Sequence, residues 1–586
     1  MNRKLDPILL EIIKNGFDTI ADEIALILLR TAYSAIVRDA MDYSTAICDA
    51  RGLTLAQGLT TPLHLGSFYD AMQHVIRQHE GRVEPGDIFI GNDPYVASGQ
   101  HLPDIYIILP IFIDNVLEGW STTVAHHLDV GGIVPGSNAL GATEIYQEGL
   151  RLPFLKLYEK GTLNQAIWDI IVTNVRVPDM VLGDLHAQIV AAHIGAREFE
   201  DLFTRYGAET MHFYIDELHD YAEALARAEF SDIPDGTYEF TDHIDGLGED
   251  PETILFHVSM TVKGDHVTVD WTGTSPQVKG GVNSPLPFTK AASYAALRSI
   301  MGSEVPNCYG YTRAVTVIAP EGSVVNPMHP GACGARGISG FRMMDCLFGA
   351  LAQAVPEKVA ADGCGGATVP TFAGYRGSNA FVFSETLMGT WGGTAFHDGQ
   401  DGVPHMGANQ SNVPIESIEI DFPLRIERYG LVPNSGGSGK HRGGLAMIRE
   451  YRILEDDMIL SLRSDKRAHP PHGLVGGGTG SPSWNIVNPG SEERVLPVLL
   501  TKPEDLRKGD LFRHVKASGG GHGDPLERDL DAVLADVIAE RETPAHAAEA
   551  YGVVVNGDIQ AGFSINDAAT TKRRKAMKAQ GKGASQ

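Results

Sequence analysis

The chain opens with apolar residues at helical spacing. Asp6 followed by Pro7 is typical of an N-cap with proline in the first turn, and apolar positions recur every three or four residues from Leu9 to Ile27. A second stretch with helical periodicity, rich in Ala, Leu and Glu, spans residues 184–229. These patterns predict a long amphipathic helix at the start of the chain and further helices in the second stretch.

Between these helices the pattern changes to short β-type runs. Gly, Pro, Asn or Asp interrupts each run, as is usual at strand ends. The runs are residues 45–48, 87–90, 105–109 and 122–124. This part of the chain is therefore expected to form a compact sheet with functional loops.

The remaining chain mixes both patterns. Strands at 254–262 and 266–271 flank a Lys-Gly-Asp turn, helices are expected at 289–300 and 340–354, and a strand at 314–318 lies between those helices. Glycine dominates beyond Pro356. Later segments are predicted as strands at 415–420 and 447–453 around the Gly-rich loop 434–444, a helix at 530–538, and a last helix that starts at residue 543 and ends at residue 552.

This mixture predicts an α+β (mixed α/β) fold of several subdomains, with a β-sheet core and Gly-rich loops. From Lys572 onward the chain carries six basic residues and no acid, a composition typical of disorder. The predicted segments are an N-terminal α/β domain (1–230), a middle α/β domain (231–360), a Gly-rich, β-rich region (361–525), a C-terminal helical element (526–570) and a disordered basic tail (571–586).

Charge and cysteine usage exclude several classes of partner. A net charge of −27 repels nucleic acids and anionic membranes, so neither is expected to bind. The five cysteines are odd in number and form no Cys-x-x-Cys pair, which favours a reducing cytoplasm. The apolar run at 24–29 is closely flanked by charged residues, so neither a secretion signal nor a membrane span is expected.

Several common catalytic motifs are missing. The loop before Lys440 resembles a phosphate-binding loop, but Asn434 and His441 stand where the Walker pattern needs Gly and Ser or Thr. No Gly-x-Ser-x-Gly elbow and no His-Glu-x-x-His helix is present. Cys364 has the most unusual setting of the five cysteines, yet a buried structural thiol remains the favoured interpretation for all of them. Nucleotide binding by this chain is therefore not expected.

Metal-capable side chains are densest between residues 42 and 129. His101 and Asp104 lie in a loop that feeds a strand, because Pro103 and the β-branched residues after it oppose a helix. His126 and His127 are neighbours near a strand end, so they point to opposite faces and only one joins a site. Imidazoles and carboxylates without sulfur suit Zn, Mn, Fe or Co. The alternative is that these residues form turns and satisfy local hydrogen bonds.

A series of short segments, taken together, resembles the hydantoinase B/5-oxoprolinase family. The resemblance runs from the first helix to about residue 555, and the tail lies outside it. The segments are 41–44 (MDYS), 49–52 (DARG), 62–67 (PLHLGS), 91–95 (GNDPY), 101–104 (HLPD), 125–132 (AHHLDVGG), 147–151 (QEGLR), 270–275 (DWTGTS), 322–327 (GSVVNP), Tyr429, 435–437 (SGG), 442–444 (RGG) and 521–525 (GHGDP).

The resemblance implies a metal site in the N-terminal domain. The family's divalent transition metal maps onto Asp42, His101, Asp104 and His126, which selects His126 over His127. It also implies a hetero-oligomer with an A-type, hydantoinase A-like ATPase subunit. ATP and Mg are then used by that partner and are not bound here, and the substrate is a small molecule.

Other residues around this site are candidates for supporting roles. The family often has Thr before the His-Leu-Pro-Asp motif, whereas Gln100 stands here, and this difference is expected to affect the surroundings of the ligands. Candidates for contacts behind the ligands are Asp93, His127 and Asp129, with local turn bonding as the alternative. Glu144 and Glu148 are candidate acid/base groups, although solvated surface carboxylates are the favoured interpretation.

The resemblance leaves three functions open. In the first, the A-type partner activates a cyclic amide (a hydantoin, 5-oxoproline or a lactam) with ATP, and this subunit hydrolyses it at the metal. In the second, the pair carboxylates a ketone of the acetone or acetophenone type. In the third, the chain is a non-catalytic scaffold. The modest length favours amide hydrolysis over carboxylation.

Overall fold

A computed structural model describes residues 5–58, 61–377 and 379–581. Within them, helices and sheets alternate along the chain, which confirms the α+β fold class. The first part contains α1 (Pro7–Thr31), α2 (Ala35–Arg38), β1 (Tyr43–Asp49), β2 (Thr54–Gln57), α3 (Pro62–Leu65), α4 (Ser67–Gln78), β3 (Ile88–Gly91), β4 (Asp104–Ile113), β5 (Val116–His126), a 3₁₀ helix (Ile145–Gln147), β6 (Leu155–Glu159), β7 (Thr162–Leu163), α5 (Gln165–Asn174), α6 (Pro178–Tyr206) and α7 (Ala208–Ser231).

A seven-stranded sheet in the order β2-β1-β5-β4-β3-β6-β7 forms the centre of this part. Helices α1 and α6 cover one face, where the rings of Phe17 and Phe199 stack with centroids 5.8 Å apart. Helix α4 covers the other face, where Phe68 meets Tyr106 edge-on at 5.9 Å. Because both faces are covered, β1 is buried along its whole length and β4 over its first eight residues, which explains the continuous apolar run at 105–109.

The next part consists of two helices and a smaller sheet that share one core. The strand order of this sheet is β11-β10-β9-β8. The predicted hairpin is confirmed as β9 and β10, and both predicted helices are present. The elements are β8 (Gly236–Ile244), β9 (Ile254–Lys263), β10 (His266–Asp270), α8 (Leu286–Arg298), a 3₁₀ helix (Tyr309–Ala314), β11 (Val315–Ile318) and α9 (Gly337–Leu351). Every residue of α9 is buried, so this helix lies at the centre of the molecule.

The glycine-rich part consists mainly of strands. Its larger sheets have the orders β13-β12-β18-β21 and β16-β17-β22-β19-β20. The elements are β12 (Val369–Arg376), β13 (Asn379–Ser384), β14 (Gly389–Thr390), β15 (Asp401–Val403), α10 (Ile415–Asp421), β16 (Leu424–Leu431), β17 (Met447–Ile453), β18 (Met458–Arg463), β19 (Trp484–Val487), β20 (Arg494–Val495), β21 (Glu504–Leu506) and β22 (Leu511–Val515).

The loops of this part pack backbone against backbone. A Cβ atom on Gly443 would lie 2.0 Å from the Gly519 carbonyl oxygen, and His441 and His522 exchange two backbone hydrogen bonds of 2.9 Å. Only glycine allows so close an approach. The Gly-rich loop 434–444 is therefore packed against a second glycine loop.

One predicted strand is wrong. Residues 415–420 form α10 instead, which follows Pro414 and buries only Ile418, while Ile420 is 76% exposed. A strand was expected because isoleucines are common there, but a short helix of seven residues buries one of them against the neighbouring core.

The C-terminal part begins with a 3₁₀ helix (Pro525–Glu527) and continues with α11 (Leu530–Ile538), α12 (Pro544–Ala550), β23 (Val555–Asp558), β24 (Gly562–Ile565) and α13 (Asp567–Gly581). Thr543 caps α12 as predicted, by accepting a hydrogen bond from the His546 backbone N–H. Helix α11 has the predicted bounds.

The predicted disorder from Lys572 is wrong as far as residue 581, because α13 continues through it. Arg573 donates to the Ala548 carbonyl at 2.5 Å, and Arg574 donates to the Tyr551 and Arg528 carbonyls at 3.0 and 2.7 Å. Composition shows the positive charges but not these carbonyl acceptors. The last five residues of the predicted tail, 582–586, lie outside the described residues.

Hydrophobic packing crosses the predicted segment boundaries. The core around α8 and α9 also includes Leu63 and Val498, and the core around α1 and α6 also includes Ala373. The first three predicted segments therefore share cores, whereas the C-terminal helical element has a core of its own around Val533 and Tyr551. In the part of the chain that the structure describes, no helix combines the length and the apolar character needed to cross a bilayer.

Candidate metal centre

The β4–β5 hairpin brings two of the predicted ligands together. Asp104, the first residue of β4, is the cross-strand partner of His126, the last residue of β5. Side chains of directly paired residues lie on the same face of a sheet. His127 points the other way, and its Nε2 lies 2.9 Å from Gln188 Oε1 on α6. The strand register therefore decides which of the two neighbouring histidines faces Asp104.

His101 joins this pair through a tight turn. The Asp104 backbone N–H donates to the His101 carbonyl at 3.0 Å, and this turn brings His101 Nε2 to 3.1 Å from Asp104 Oδ1. One ligand atom from each of His101, Asp104 and His126 lies within 4.8 Å of the others, and all three residues are buried. Three of the four predicted ligands thus converge.

The protonation of His101 indicates that this cluster suits a cation. Its Nδ1 lies 2.8 Å from the Gly334 carbonyl oxygen, which only accepts, so Nδ1 carries the proton. Burial, and then the charge of Arg336, lower the pKa of His101, which favours the neutral ring. Its Nε2 lone pair therefore faces a carboxylate oxygen at 3.1 Å. Two acceptors at this distance are the arrangement expected of neighbouring metal ligands, and a backbone carbonyl that fixes the other ring nitrogen is usual behind them.

The remaining ligand atoms also fit a metal. His126 Nδ1 is buried and has no hydrogen-bond partner among the described residues. Burial opposes ionisation of Asp104, but the charge of Arg336 holds its pKa well below the usual range, so it is a carboxylate. The donor set of two imidazoles and a carboxylate suits a divalent transition metal.

Asp42, the fourth predicted ligand, lies beside this cluster but outside the group of three. Its Oδ1 is 3.9 Å from His64 Nε2, and Asp104 Oδ2 is also 3.9 Å from that nitrogen. Burial, and then the charge of Asp104, raise the pKa of Asp42 to about 7. His64, whose pKa burial lowers to about 4, thus lies between the two carboxylates.

Two arginines lie next to the same cluster. Arg336 binds Asp104 Oδ2 and donates to Gln100 Oε1 at 3.0 Å, and its guanidinium carbon lies 4.2 Å from the centroid of the Phe288 ring. Burial, and then Arg336, lower the pKa of Arg463 to about 10. A small cavity connects both arginines with Asp42, His64 and His126.

Sequence reasoning did not single out His64, Arg336 or Arg463 as site residues. His64 belongs to segment 62–67, one of those that carry the family resemblance, and this was the available signal. The two arginines lie more than 200 positions from Asp104 and belong to no recognisable motif. Gln100, whose presence before His101 was expected to matter, does hold Arg336.

The expected supporting residues have mostly local roles. Asp93 accepts from the Tyr95 and Val96 backbone N–H groups, and Asp129 accepts from Gly131 and pairs with Arg176. The bonds to the Tyr95, Val96 and Gly131 backbone are the turn bonds that the alternative interpretation predicted. The ion pairs Asp129–Arg176 and Asp93–Arg151 instead join segments distant in sequence.

Glu148 is the exception, and the expectation that it is a solvated surface carboxylate is wrong. It is fully buried, and its Oε1 accepts from the backbone N–H groups of Cys333 and Gly334 at 2.8 and 2.5 Å. Burial raises the pKa of Glu148 to about 8. Glu144 is exposed, as expected, and caps a 3₁₀ turn. All five cysteines are buried and free.

The α+β fold and the buried His-Asp-His cluster at the end of a central hairpin make this chain a candidate metalloprotein. The family model for hydantoinase B/oxoprolinase matches residues 6–525, and the chain belongs to that family.

Known proteins resemble the chain over nearly its whole length. A Pseudomonas sp. (strain NS671) protein, provisionally named as the B-type subunit of a D-/L-hydantoinase, is 36% identical over 571 residues, which cover 94% of this chain and 96% of that protein. The beta chain of the Pseudomonas jessenii caprolactamase is 31% identical over 595 residues, covering 98% and 99%. The 5-oxoprolinase of Dictyostelium discoideum is 27% identical over 493 residues, covering 83% of this chain but 38% of that protein.

Two solved structures share the fold. The ATP-dependent caprolactamase from Pseudomonas jessenii superposes with a TM-score of 0.89 at 28% identity, covering 98% of this chain and all of that chain. A nucleotide-free acetone carboxylase structure superposes with a TM-score of 0.90 at 20% identity, covering 98% of this chain and 83% of that chain. At 20% identity the second match establishes the fold alone.

Proposed function

We propose that this chain is the metal-binding, B-type subunit of an ATP-dependent cyclic amide hydrolase. The observation that carries the proposal is the convergence of His101, Asp104 and His126 within 4.8 Å in a buried site. Related proteins whose names refer to a hydantoinase, a caprolactamase and a 5-oxoprolinase support the substrate class, a hydantoin, lactam or 5-oxoproline. The acetone carboxylase match rests on 20% identity, so ketone carboxylation is the less supported alternative.

Two observations support an ATPase partner. The loop 434–444 does not have the Walker pattern, and its glycines are packed against another loop. The matched region makes up 38% of the Dictyostelium 5-oxoprolinase, so that protein has more than half of its length for other tasks. We infer that a separate A-type partner binds ATP and Mg and activates the amide, whose resonance opposes direct hydrolysis.

His101, Asp104 and His126 would hold a divalent Zn, Mn, Fe or Co ion, with Asp42 or His64 as the next candidate donor. Such an ion supplies Lewis acidity for polarising a carbonyl or activating water. The chain's own residues prepare the site for this chemistry. Arg336 keeps Asp104 ionised, and the Gly334 carbonyl fixes the tautomer of His101. Burial keeps bulk water away from these groups.

The direct test combines the purified chain, its A-type partner, ATP and a panel of hydantoins and lactams. Ring opening is expected only when both proteins and ATP are present. The His101→Ala/Asp104→Ala double variant should bind the partner but show no turnover, and His127→Gln is the matched control. ATP-independent turnover by this chain alone would contradict the proposal. Bicarbonate-dependent incorporation of labelled carbon into a ketone would favour the carboxylase instead.

Metal analysis separates a catalytic role from that of a scaffold. The purified chain should contain about one transition metal ion, as expected when the ligands share one site. A chain that binds the partner but contains no transition metal, even after incubation with each candidate ion, would be a scaffold.

A further inference from the structure

Arg463, the last residue of β18, is a buried cation that forms no ion pair with a carboxylate among the described residues, although the charges of Asp42 and Asp104 act on it. It is 6% exposed, and its Nε and Nη1 atoms have no hydrogen-bond partner among the described residues. Other buried arginines of this chain are paired: Arg449 lies 2.8 Å from Glu385, and Arg342 lies 2.6 Å from Asp242. A buried charge is normally retained only when it is paired and hydrogen-bonded. This guanidinium therefore has donors available for a ligand.

The position of this guanidinium strengthens the argument. A Cβ atom on Gly337 would lie 3.1 Å from Arg463 Nη1 and 3.2 Å from Nη2, so the group packs on the first residue of α9. The N-terminal end of a 15-residue helix carries partial positive charge and commonly binds anions. Arg336 immediately precedes this helix and lines the same cavity. Three positive groups thus lie at this end of the cavity, where Arg336 also binds Asp104 and Asp42 forms part of the lining.

The cavity at this point is small and open toward the metal cluster. Its volume is about 30 Å³, and its lining includes Arg463, Gly337, Asp42 and His126. A charged group at one end of a ligand fits there, with the rest of the ligand outside the cavity.

We propose that Arg463 and the start of α9 form the binding site for the phosphoryl oxygens of the activated substrate. This inference rests on the proposed function, in which an ATPase partner phosphorylates the cyclic amide. The planar guanidinium presents N–H donors that match phosphate geometry, and the helix start adds positive charge. Arg463 would thereby anchor the activated substrate beside His126.

Calorimetry with inorganic phosphate tests the site on the full chain, without turnover. The wild type should bind phosphate, Arg463→Met should bind it at least about tenfold more weakly, and the exposed Arg428→Met should match the wild type. Arg463→Lys, which keeps the charge but loses the fork, should be intermediate. Unchanged phosphate affinity in Arg463→Met would overturn the proposal. If the wild type binds acetate as tightly as phosphate, the proposed preference of the site for a phosphoryl group is overturned.

Thermal unfolding distinguishes a ligand-binding arginine from a structural one. Because Arg463→Met removes an unpaired buried charge, the melting temperature of the ligand-free variant should equal or exceed that of the wild type. Phosphate should raise the melting temperature of the wild type but not that of the variant. A marked fall without ligand would indicate a structural role and overturn the proposal. The two proposals can also fail separately. If phosphate binding depends on Arg463 but the two-protein assay shows no ATP-dependent turnover, the proposed function is overturned and the phosphate site is not.

Discussion

Glu148 and His101 are linked through a single residue, Gly334. The Gly334 backbone N–H donates to Glu148 Oε1 at 2.5 Å, and the Gly334 carbonyl oxygen accepts from His101 Nδ1 at 2.8 Å. The buried carboxyl group thus fixes the backbone segment that orients a candidate ligand. Residues of this kind commonly affect metal affinity although they do not touch the metal.

Glu148→Ala is therefore expected to weaken metal binding by about 10- to 100-fold, the usual effect of losing a group that orients a ligand. Competition with a chromophoric chelator measures the affinity. Glu148→Gln keeps an oxygen acceptor and should lose much less. Metal affinity equal to the wild type in Glu148→Ala would show that Gly334 holds its position without this contact.

The same residue predicts a pH dependence of stability. Burial raises the pKa of Glu148 to about 8 in the folded chain from an ordinary value of 4.5. The folded state then holds the proton more tightly, so this residue's contribution to stability is complete below about pH 4.5 and is lost as the pH rises to about 8. The loss amounts to at most about 1.4 kcal/mol per pH unit.

Glu148→Gln removes this titration. Its melting temperature should rise relative to that of the wild type as the pH increases from about 5 to about 8, and scanning calorimetry at several pH values measures the difference. Glu144→Gln, at an exposed position in the same loop, is the matched control. A constant difference between Glu148→Gln and the wild type across this range would contradict the prediction.

The two neighbouring histidines should behave differently in metal binding. His126→Ala removes a side chain that faces Asp104 and should reduce the bound metal to well below one ion per chain, as measured by mass spectrometry of the purified protein. His127→Gln should retain the metal, because that side chain faces Gln188. The reverse result would mean that the strand register at the end of the hairpin differs from the one described.

Two Glu–Arg pairs should differ in their effect on stability. Glu385 is buried and accepts from Arg449 at 2.8 Å and from Tyr451 at 2.5 Å, so Glu385→Ala leaves a buried guanidinium unpaired and should cost about 3–5 kcal/mol. Glu427 pairs with the exposed Arg425, and Glu427→Ala should cost about 1 kcal/mol or less. Urea unfolding of both variants provides the comparison, and equal losses would contradict it.

The last helix is expected to support the one before it. Deletion of residues 567–586 removes the Arg573 and Arg574 contacts to the Ala548 and Tyr551 carbonyls. Amide hydrogen exchange in residues 544–553 should become faster, while metal content should stay at the wild-type level because the candidate metal site lies in the first part of the chain. Unchanged exchange would show that α13 adds no local stability.

Local patterns along the chain predicted much of the secondary structure. The Asp6-Pro7 start and its apolar spacing predicted α1, and β17 and α11 have the predicted bounds. These elements form because a short stretch of sequence supplies both the cap or turn and the buried face. The predictions for segment 415–420 and for the tail were wrong because the conformation of these segments depends on neighbours distant in sequence.

The sequence by itself determined the family and the region that supplies the candidate ligands, because His101, Asp104 and His126 lie within 26 consecutive residues whose strands could be recognised. Only the tertiary structure decided what surrounds them. Arg336 and Arg463 arrive from distant segments, Glu148 becomes buried, and Asp42 lies beside His64 and outside the group of three. Burial and charge depend on packing between segments far apart in the chain, and no local pattern encodes that packing.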